Sequence, residues 1–123
     1  MENYEAKIDE TSREFTAKER VALKTFANVH PLDDPEMDGA IIEPAGWATI
    51  QVHNEKSDNK DYNKYLIIAK DGEKYVTGSL PFWRSFKEIW EEMEGVDEDW
   101  GIVVRRKESK NYKGKEFITC EII

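Results

Sequence analysis

The chain has 123 residues, a length that fits a single domain. Its 39% hydrophobic and 11% aromatic content excludes a disordered chain, because large apolar side chains offset the entropy cost of folding. No apolar run approaches the roughly 18 residues of a membrane span, and residues 1–10 lack the apolar region of a signal peptide. The single cysteine, Cys120, excludes an internal disulfide, and we therefore expect a cytoplasmic protein.

Charge is unevenly distributed along this chain, whose net charge is −8. Residues 101–123 contain six cations and three anions, whereas the other 100 residues contain 12 cations and 23 anions. A protein that binds a phosphate backbone needs at least a local excess of cations. The distribution therefore permits nucleic-acid contact near the C-terminal end only, and a charged hairpin kept soluble by its lysines is the alternative.

The first third of the chain is polar and then becomes richer in β-branched and aromatic residues. We expect residues 1–19 to form a mostly flexible arm. Thr16 and Glu19 match a capping box, which allows a short helix to begin there. Residues 20–29 lack a clean helical period, however, and favour a strand.

The middle of the chain reads as a loop followed by strands. Three prolines and two glycines predict a loop over residues 30–46. Strict alternation predicts a half-buried strand over residues 47–54, with Trp47 on its outward face. The face expected to be buried carries Ala48, Ile50 and Val52. Farther on, residues 62–78 contain Asp71-Gly72, a dipeptide typical of a two-residue hairpin turn.

The strongest helical signal follows Ser79, which is a favourable N-cap, with Pro81 in the first turn. Apolar residues then recur at helical spacing and form one stripe. The stripe comprises Phe82, Phe86, Ile89, Trp90 and Met93. Gly95 suits the end of this helix, and two strands are predicted after it, over residues 101–107 and 116–123.

This order of elements predicts a mostly β fold with one helix. An oligonucleotide-binding (OB) barrel has three strands before a helix that plugs one end of the barrel, and two strands after it. We therefore expect an OB-like barrel over residues 20–123. It would contain five to six strands, with the plug helix between the third and fourth main strands. A small α+β sandwich is the alternative.

Three long segments resemble the single-stranded-DNA-binding proteins of Firmicutes phages and prophages. They are residues 51–65 (QVHNEKSDNKDYNKY), 74–86 (KYVTGSLPFWRSF) and 109–122 (SKNYKGKEFITCEI). With a weaker match at residues 23–34, the similarity spans most of residues 20–123. The resemblance implies an OB-like fold and sequence-independent binding of single-stranded DNA in phage or prophage DNA replication or recombination.

Such binding needs aromatic faces on which bases stack and cations that follow the phosphates. Trp47 and Tyr65 supply rings on strands, and Tyr112 lies among three lysines in the last loop. The candidate nucleic-acid-binding set is Trp47, Tyr65, Arg105, Arg106, Lys110, Tyr112, Lys113 and Lys115. Phe117 and Tyr62 are weaker stacking candidates. The alternative is partial burial for each ring, and a solvated hairpin tip for the loop.

The sequence offers little for catalysis. His30 and His53 are the only histidines, and no zinc-protease, nucleophile-elbow or phosphate-loop motif is present. We expect no enzymatic activity, no cofactor and no bound metal. The expected partners are single-stranded DNA and phage replication or recombination proteins, with no membrane and with homo-oligomerisation left open. The alternative is an OB-like protein-interaction module of a phage or its host, which the overall acidity favours.

Overall fold

Strands predominate in the computed structural model, which describes residues 4–110 and 114–123. The strands are β1 (Tyr4–Thr11), β2 (Val29–Pro31), β3 (Ile41–Ile42), β4 (Pro44–Asn54), β5 (Asp61–Ala69), β6 (Lys74–Thr77), β7 (Ile102–Glu108) and β8 (Glu116–Ile122). The α-helices are α1 (Ala17–Thr25) and α2 (Leu80–Met93), and a short 3-10 helix spans Pro35–Met37. The predicted mostly β class is confirmed, but the expectation of a single helix is wrong.

The chain divides into two structural units. The first comprises the chain up to residue 30 together with residues 45–78, and it contains α1 and a sheet of order β1-β4-β5-β6-β2. The second comprises residues 31–44 and the chain from residue 79, and it contains α2 and a sheet of order β3-β7-β8. Within the described ranges neither sheet closes on itself.

The core of the first unit forms around β4, whose predicted alternation is confirmed. Ala48, Ile50 and Val52 are buried in one cluster with Leu23 and Leu66. Strand β1, part of the segment predicted to be an arm, pairs antiparallel with β4 and places Ala6 opposite Val52 and Ile8 opposite Ile50. These two apolar side chains are partly buried against the cluster, which packs one face of the otherwise polar β1 onto the core.

The strand predicted over residues 20–29 is wrong, because the capping box prevails there. Thr16 Oγ1 accepts from the Glu19 backbone N–H at 3.2 Å, and Glu19 Oε1 accepts from the Thr16 N–H at 2.9 Å. Helix α1 then runs to Thr25 and ends at Phe26, whose φ is 53°. Leu23 is the only buried residue of this helix, so the helix has no apolar stripe. The sequence therefore shows no helical period over these residues.

The helix and the final strand pair of the second unit are confirmed. Ser79 Oγ accepts from the Phe82 N–H at 3.2 Å, and Phe82 and Phe86 are fully buried. Ser85 Oγ of α2 lies 2.9 Å from Thr119 Oγ1 of β8, so the helix packs against the last strand. Both helices in the described ranges are too short, or not apolar enough, to cross a membrane.

Candidate nucleic-acid interface

Strands β7 and β8 form an antiparallel hairpin with two different faces. Its register places Val104 opposite Cys120 and Arg106 opposite Ile118. Successive side chains of a strand point to opposite faces, so the buried residues fix the direction of all the others. On one face the middle of the hairpin is apolar and buried: Ile102, Val104, Ile118 and Cys120 are at most 6% exposed, although Ile122 on the same face is 48% exposed. Phe117 and Lys107 must therefore lie on the other face.

That second face places an aromatic ring among cations. Phe117 lies directly opposite Lys107, and Arg105, opposite Thr119, is the next residue on the same face of β7. Side chains directly opposite each other have Cβ atoms about 4.5–5.5 Å apart. Phe117 is 37% exposed, so part of its ring is open to a stacking partner. We call Arg105, Lys107, Phe117 and Thr119 the hairpin face; Thr119 marks the end of this face that Ser85 of α2 contacts.

The cations of the hairpin face are available for phosphate. Arg105 Nε donates to Glu121 Oε1 at 3.1 Å, and both side chains are about half exposed. Exposed ion pairs contribute only about 0–1 kcal/mol, so a phosphate can replace Glu121 at low cost. Lys107 and Lys110 are exposed, and no carboxylate in the described ranges forms an ion pair with either.

Arg106 points to the apolar face of the hairpin and is held by its own chain. Its backbone N–H donates to Asp38 Oδ1 at 3.0 Å, and its Nη1 donates to the Asp33 carbonyl at 3.1 Å. Its Nε lies 3.5 Å from Glu116 Oε1, and the side chain is 23% exposed. These contacts fasten residues 33–38 to β7. Arg106 therefore has a structural role in this conformation and is less available to phosphate than Arg105.

The predicted lysine-rich loop joins the two strands. The Ser109 N–H donates to the Lys115 carbonyl at 2.8 Å and closes the base of the loop. Lys110 and Lys115 are both exposed there, so they extend the cations of the hairpin face. Tyr112 and Lys113, also in the predicted set, lie outside the described residues.

Trp47 and Tyr65 do not present open rings, contrary to the placement predicted for Trp47. They are 7% and 9% exposed and lie on β4 and β5 of the first unit. Trp47 is also fixed at its backbone, because its N–H donates to Ser12 Oγ at 2.8 Å and its carbonyl accepts from the Ser12 N–H at 3.0 Å. Thr49, on the same face of β4, is buried as well. Alternation correctly predicted the buried face with Ile50, but the face predicted to be exposed is also covered at Trp47 and Thr49.

A small pocket adjoins Phe117. Its volume is about 190 Å³, and its walls include Pro81 of α2 together with Arg106, Glu116 and Phe117 of the hairpin. The ring supplies an apolar wall, while the guanidinium and the carboxylate supply a donor and an acceptor.

Sequence reasoning undervalued Phe117 and left Lys107 out of the candidate set. The signal for Phe117 was present, since Ile118, Cys120 and Ile122 alternate as an inward face and leave Phe117 outward. The position of Lys107 depends on the register between the strands. The sequence does not fix that register, because a connection of seven residues is compatible with more than one pairing of the two strands.

Two further titratable groups have shifted pKa values, one in each unit. Burial raises the pKa of the Cys120 thiol to about 12, so this group stays protonated at neutral pH. In the first unit, His53 Nδ1 lies 2.7 Å from Asp61 and its Nε2 2.7 Å from Glu55. Hydrogen bonds to these two carboxylates raise the pKa of His53. The described residues contain no cluster of three or more His, Cys, Asp or Glu suited to a metal ion.

Comparisons with known proteins do not assign this chain to a family. No protein-family model, no curated protein and no solved structure matched the chain. The resemblance to phage single-stranded-DNA-binding proteins therefore stays a prediction from the quoted segments.

Proposed function

We propose that this chain binds single-stranded DNA without sequence preference, and that the hairpin face is its contact surface. The observation that carries the proposal is the pairing of a partly exposed aromatic, Phe117, with Lys107 directly across the strands and Arg105 beside it. Aromatic rings interleaved with cations are what single-strand binding requires. The three long segments that resemble phage proteins support the same function.

In this proposal a base stacks on Phe117 while the backbone follows the cations. Lys107 and Arg105, side by side on β7, neutralise phosphates next to the stacked base, and Arg105 exchanges its bond to Glu121 for one to phosphate. Lys110 and Lys115 continue the path along the loop. Every base has a π-face, so stacking of this kind tolerates any sequence.

We further propose that the two sheets belong to an OB-like fold, and that the protein acts in phage or prophage DNA replication or recombination. Support for the fold comes from chain order, since α2 directly precedes a final strand pair, as the helix does in an OB barrel. Support for the biological role comes from the resemblance alone.

A protein-interaction module is the second candidate, and two observations favour it. The net charge of −8 opposes the approach of a polyanion at long range. The second unit also exposes aliphatic side chains, of which Ile41, Ile122 and Ile123 are 64%, 48% and 56% exposed. Under this alternative the acidic chain binds a protein and has no measurable affinity for oligonucleotides.

A binding titration separates the two candidates. Fluorescence anisotropy of labelled oligo(dT) is measured against the purified full chain at two ionic strengths. We expect saturable binding that weakens with salt, because phosphate contacts release counterions. Phe117→Ala and Lys107→Ala should each weaken it. Val21→Ala and Lys18→Ala are matched controls, since both residues are exposed on α1 of the other unit. Absence of binding at both ionic strengths would leave the protein-interaction module as the better account.

A further inference from the structure

Strand β1 is an edge strand with an open side. In the sheet order β1-β4-β5-β6-β2 it is terminal, and β4 is its only partner in the described ranges. None of its eight residues is buried, and Tyr4 is 43% exposed. The backbone N–H and C=O groups along such an edge can pair with a further strand.

The sequence of β1 is complementary to itself in one antiparallel register. A two-fold axis perpendicular to the sheet keeps each side chain on its own face, so only residues of equal parity can oppose each other. With the axis at Ala6, Glu5 of one copy faces Lys7 of the other, twice by symmetry. On the opposite face Tyr4 meets Ile8, again twice, and Ala6 meets itself. Each opposing pair thus joins opposite charges or apolar groups.

The neighbouring registers lack this match. An axis at Glu5 opposes Glu5 to itself, and an axis at Lys7 opposes Lys7 to itself and Glu5 to Asp9. Like charges placed directly opposite each other are unfavourable. An axis at Ile8 would draw in Asp9, where the β1–β4 register shifts at a bulge between Ile8 and Glu10. The bulge therefore limits regular pairing to residues 4–8, the five residues that the Ala6 register uses.

We propose that β1 is a homodimerisation edge, at which two copies of this chain pair antiparallel about Ala6 and join their five-stranded sheets. The exposed side chains of Glu5 and Lys7, 65% and 70% accessible, are free to turn from their weak 3.9 Å contact within the strand to the opposite copy. A five-residue pairing is a small interface, so the dimer belongs to the weak, concentration-dependent class.

Charge exchange tests the register. Sedimentation equilibrium of the full chain, from micromolar to near-millimolar concentration, should show a monomer–dimer equilibrium. Glu5→Lys and Lys7→Glu should each weaken dimerisation by roughly 4-fold to several hundred-fold, because two symmetry-related attractions become repulsions. The double variant Glu5→Lys/Lys7→Glu restores both attractions and should return to within about 2-fold of the wild type. Circular dichroism melts confirm that each variant is folded.

A matched control separates the effect of the pairing from the effect of a changed net charge. Asp9→Lys changes the charge as much as Glu5→Lys does, on the same strand but outside the pairing, and it should not weaken the dimer. Under mild oxidation Ala6→Cys should yield a covalent dimer, whereas Glu10→Cys, far from its copy, should not. A chain that is monomeric at all concentrations overturns the proposal. So does a double variant that fails to recover, or an Asp9→Lys variant that behaves like Glu5→Lys.

Discussion

Removing the Phe117 ring should weaken oligo(dT) binding without changing its dependence on salt. Stacking contributes about 1–3 kcal/mol per base on alanine substitution. Because Phe117 is only 37% exposed, a base can cover part of the ring, which places the expected loss in the lower half of that range. Phe117→Ala should therefore raise Kd roughly 5- to 30-fold. The fold should tolerate this change, since the ring is already partly in water.

Removing lysines should, in contrast, change the dependence of binding on salt. Each phosphate contact contributes about 0.7 to the slope of log K against log salt for a single strand. Arg105, Lys107, Lys110 and Lys115 together contribute about 2.8 to its magnitude if each holds one phosphate. The double variant Lys107→Ala/Lys110→Ala should lower the magnitude by about 1.4, whereas Phe117→Ala should leave it unchanged.

The assay is anisotropy of labelled oligo(dT) over a series of salt concentrations, with the wild type, the two variants and Lys18→Ala measured in parallel. Two results would refute the reasoning. Equal slopes for the wild type and the double lysine variant would mean that these lysines hold no phosphate. A Phe117→Ala variant with wild-type affinity would mean that no base stacks on this ring.

Three further predictions concern the first unit. Trp47→Ala should lower the free energy of unfolding in urea by about 3–5 kcal/mol, as expected for a buried aromatic, while Gln51→Ala, exposed on the same strand, should stay within about 0.5 kcal/mol. A Trp47→Ala variant of unchanged stability would contradict the burial of this ring. Thr16→Ala should cost about 1 kcal/mol in the same assay, because it removes the N-cap acceptor of α1; an unchanged urea midpoint would contradict that role. Asp61 and Glu55 raise the pKa of His53 above its usual 6.5. The contribution of His53 to stability is therefore fully present below that value and is lost as the pH rises through the folded-state pKa. His53→Gln should flatten this part of the stability–pH profile, and an NMR titration that gave His53 a pKa at or below 6.5 would contradict the prediction.

Local signals predicted several elements correctly. The helix after Ser79, the strand around Ile50 and the final strand pair were all found from period, capping residues and turn residues. Each of these elements buries one face, so its apolar residues recur with a regular period in the sequence. Helix α1 was missed because it buries only Leu23 and depends on hydrogen bonds at its cap rather than on an apolar stripe.

The candidate site was predicted less well than the fold elements. Composition located the cations of the last hairpin, because charge is counted without knowing the structure. Composition could not show that the rings of Trp47 and Tyr65 are covered. Strand register, which places Lys107 opposite Phe117, is likewise a tertiary property. For this reason the structure replaces Trp47 and Tyr65 by Phe117 as the candidate stacking residue, whereas the basic segment remains the candidate for phosphate contact.

The central claim is that single-stranded DNA lies on the hairpin face. The most direct measurement is a titration of isotopically labelled protein with oligo(dT), followed by backbone amide chemical shifts. The account predicts that the largest changes fall in β7 and β8, at Arg105, Lys107, Phe117 and Thr119, and that β4 around Trp47 changes little. The claim is contradicted if oligo(dT) leaves the hairpin unchanged at saturating concentration, or if the largest changes fall on the first unit.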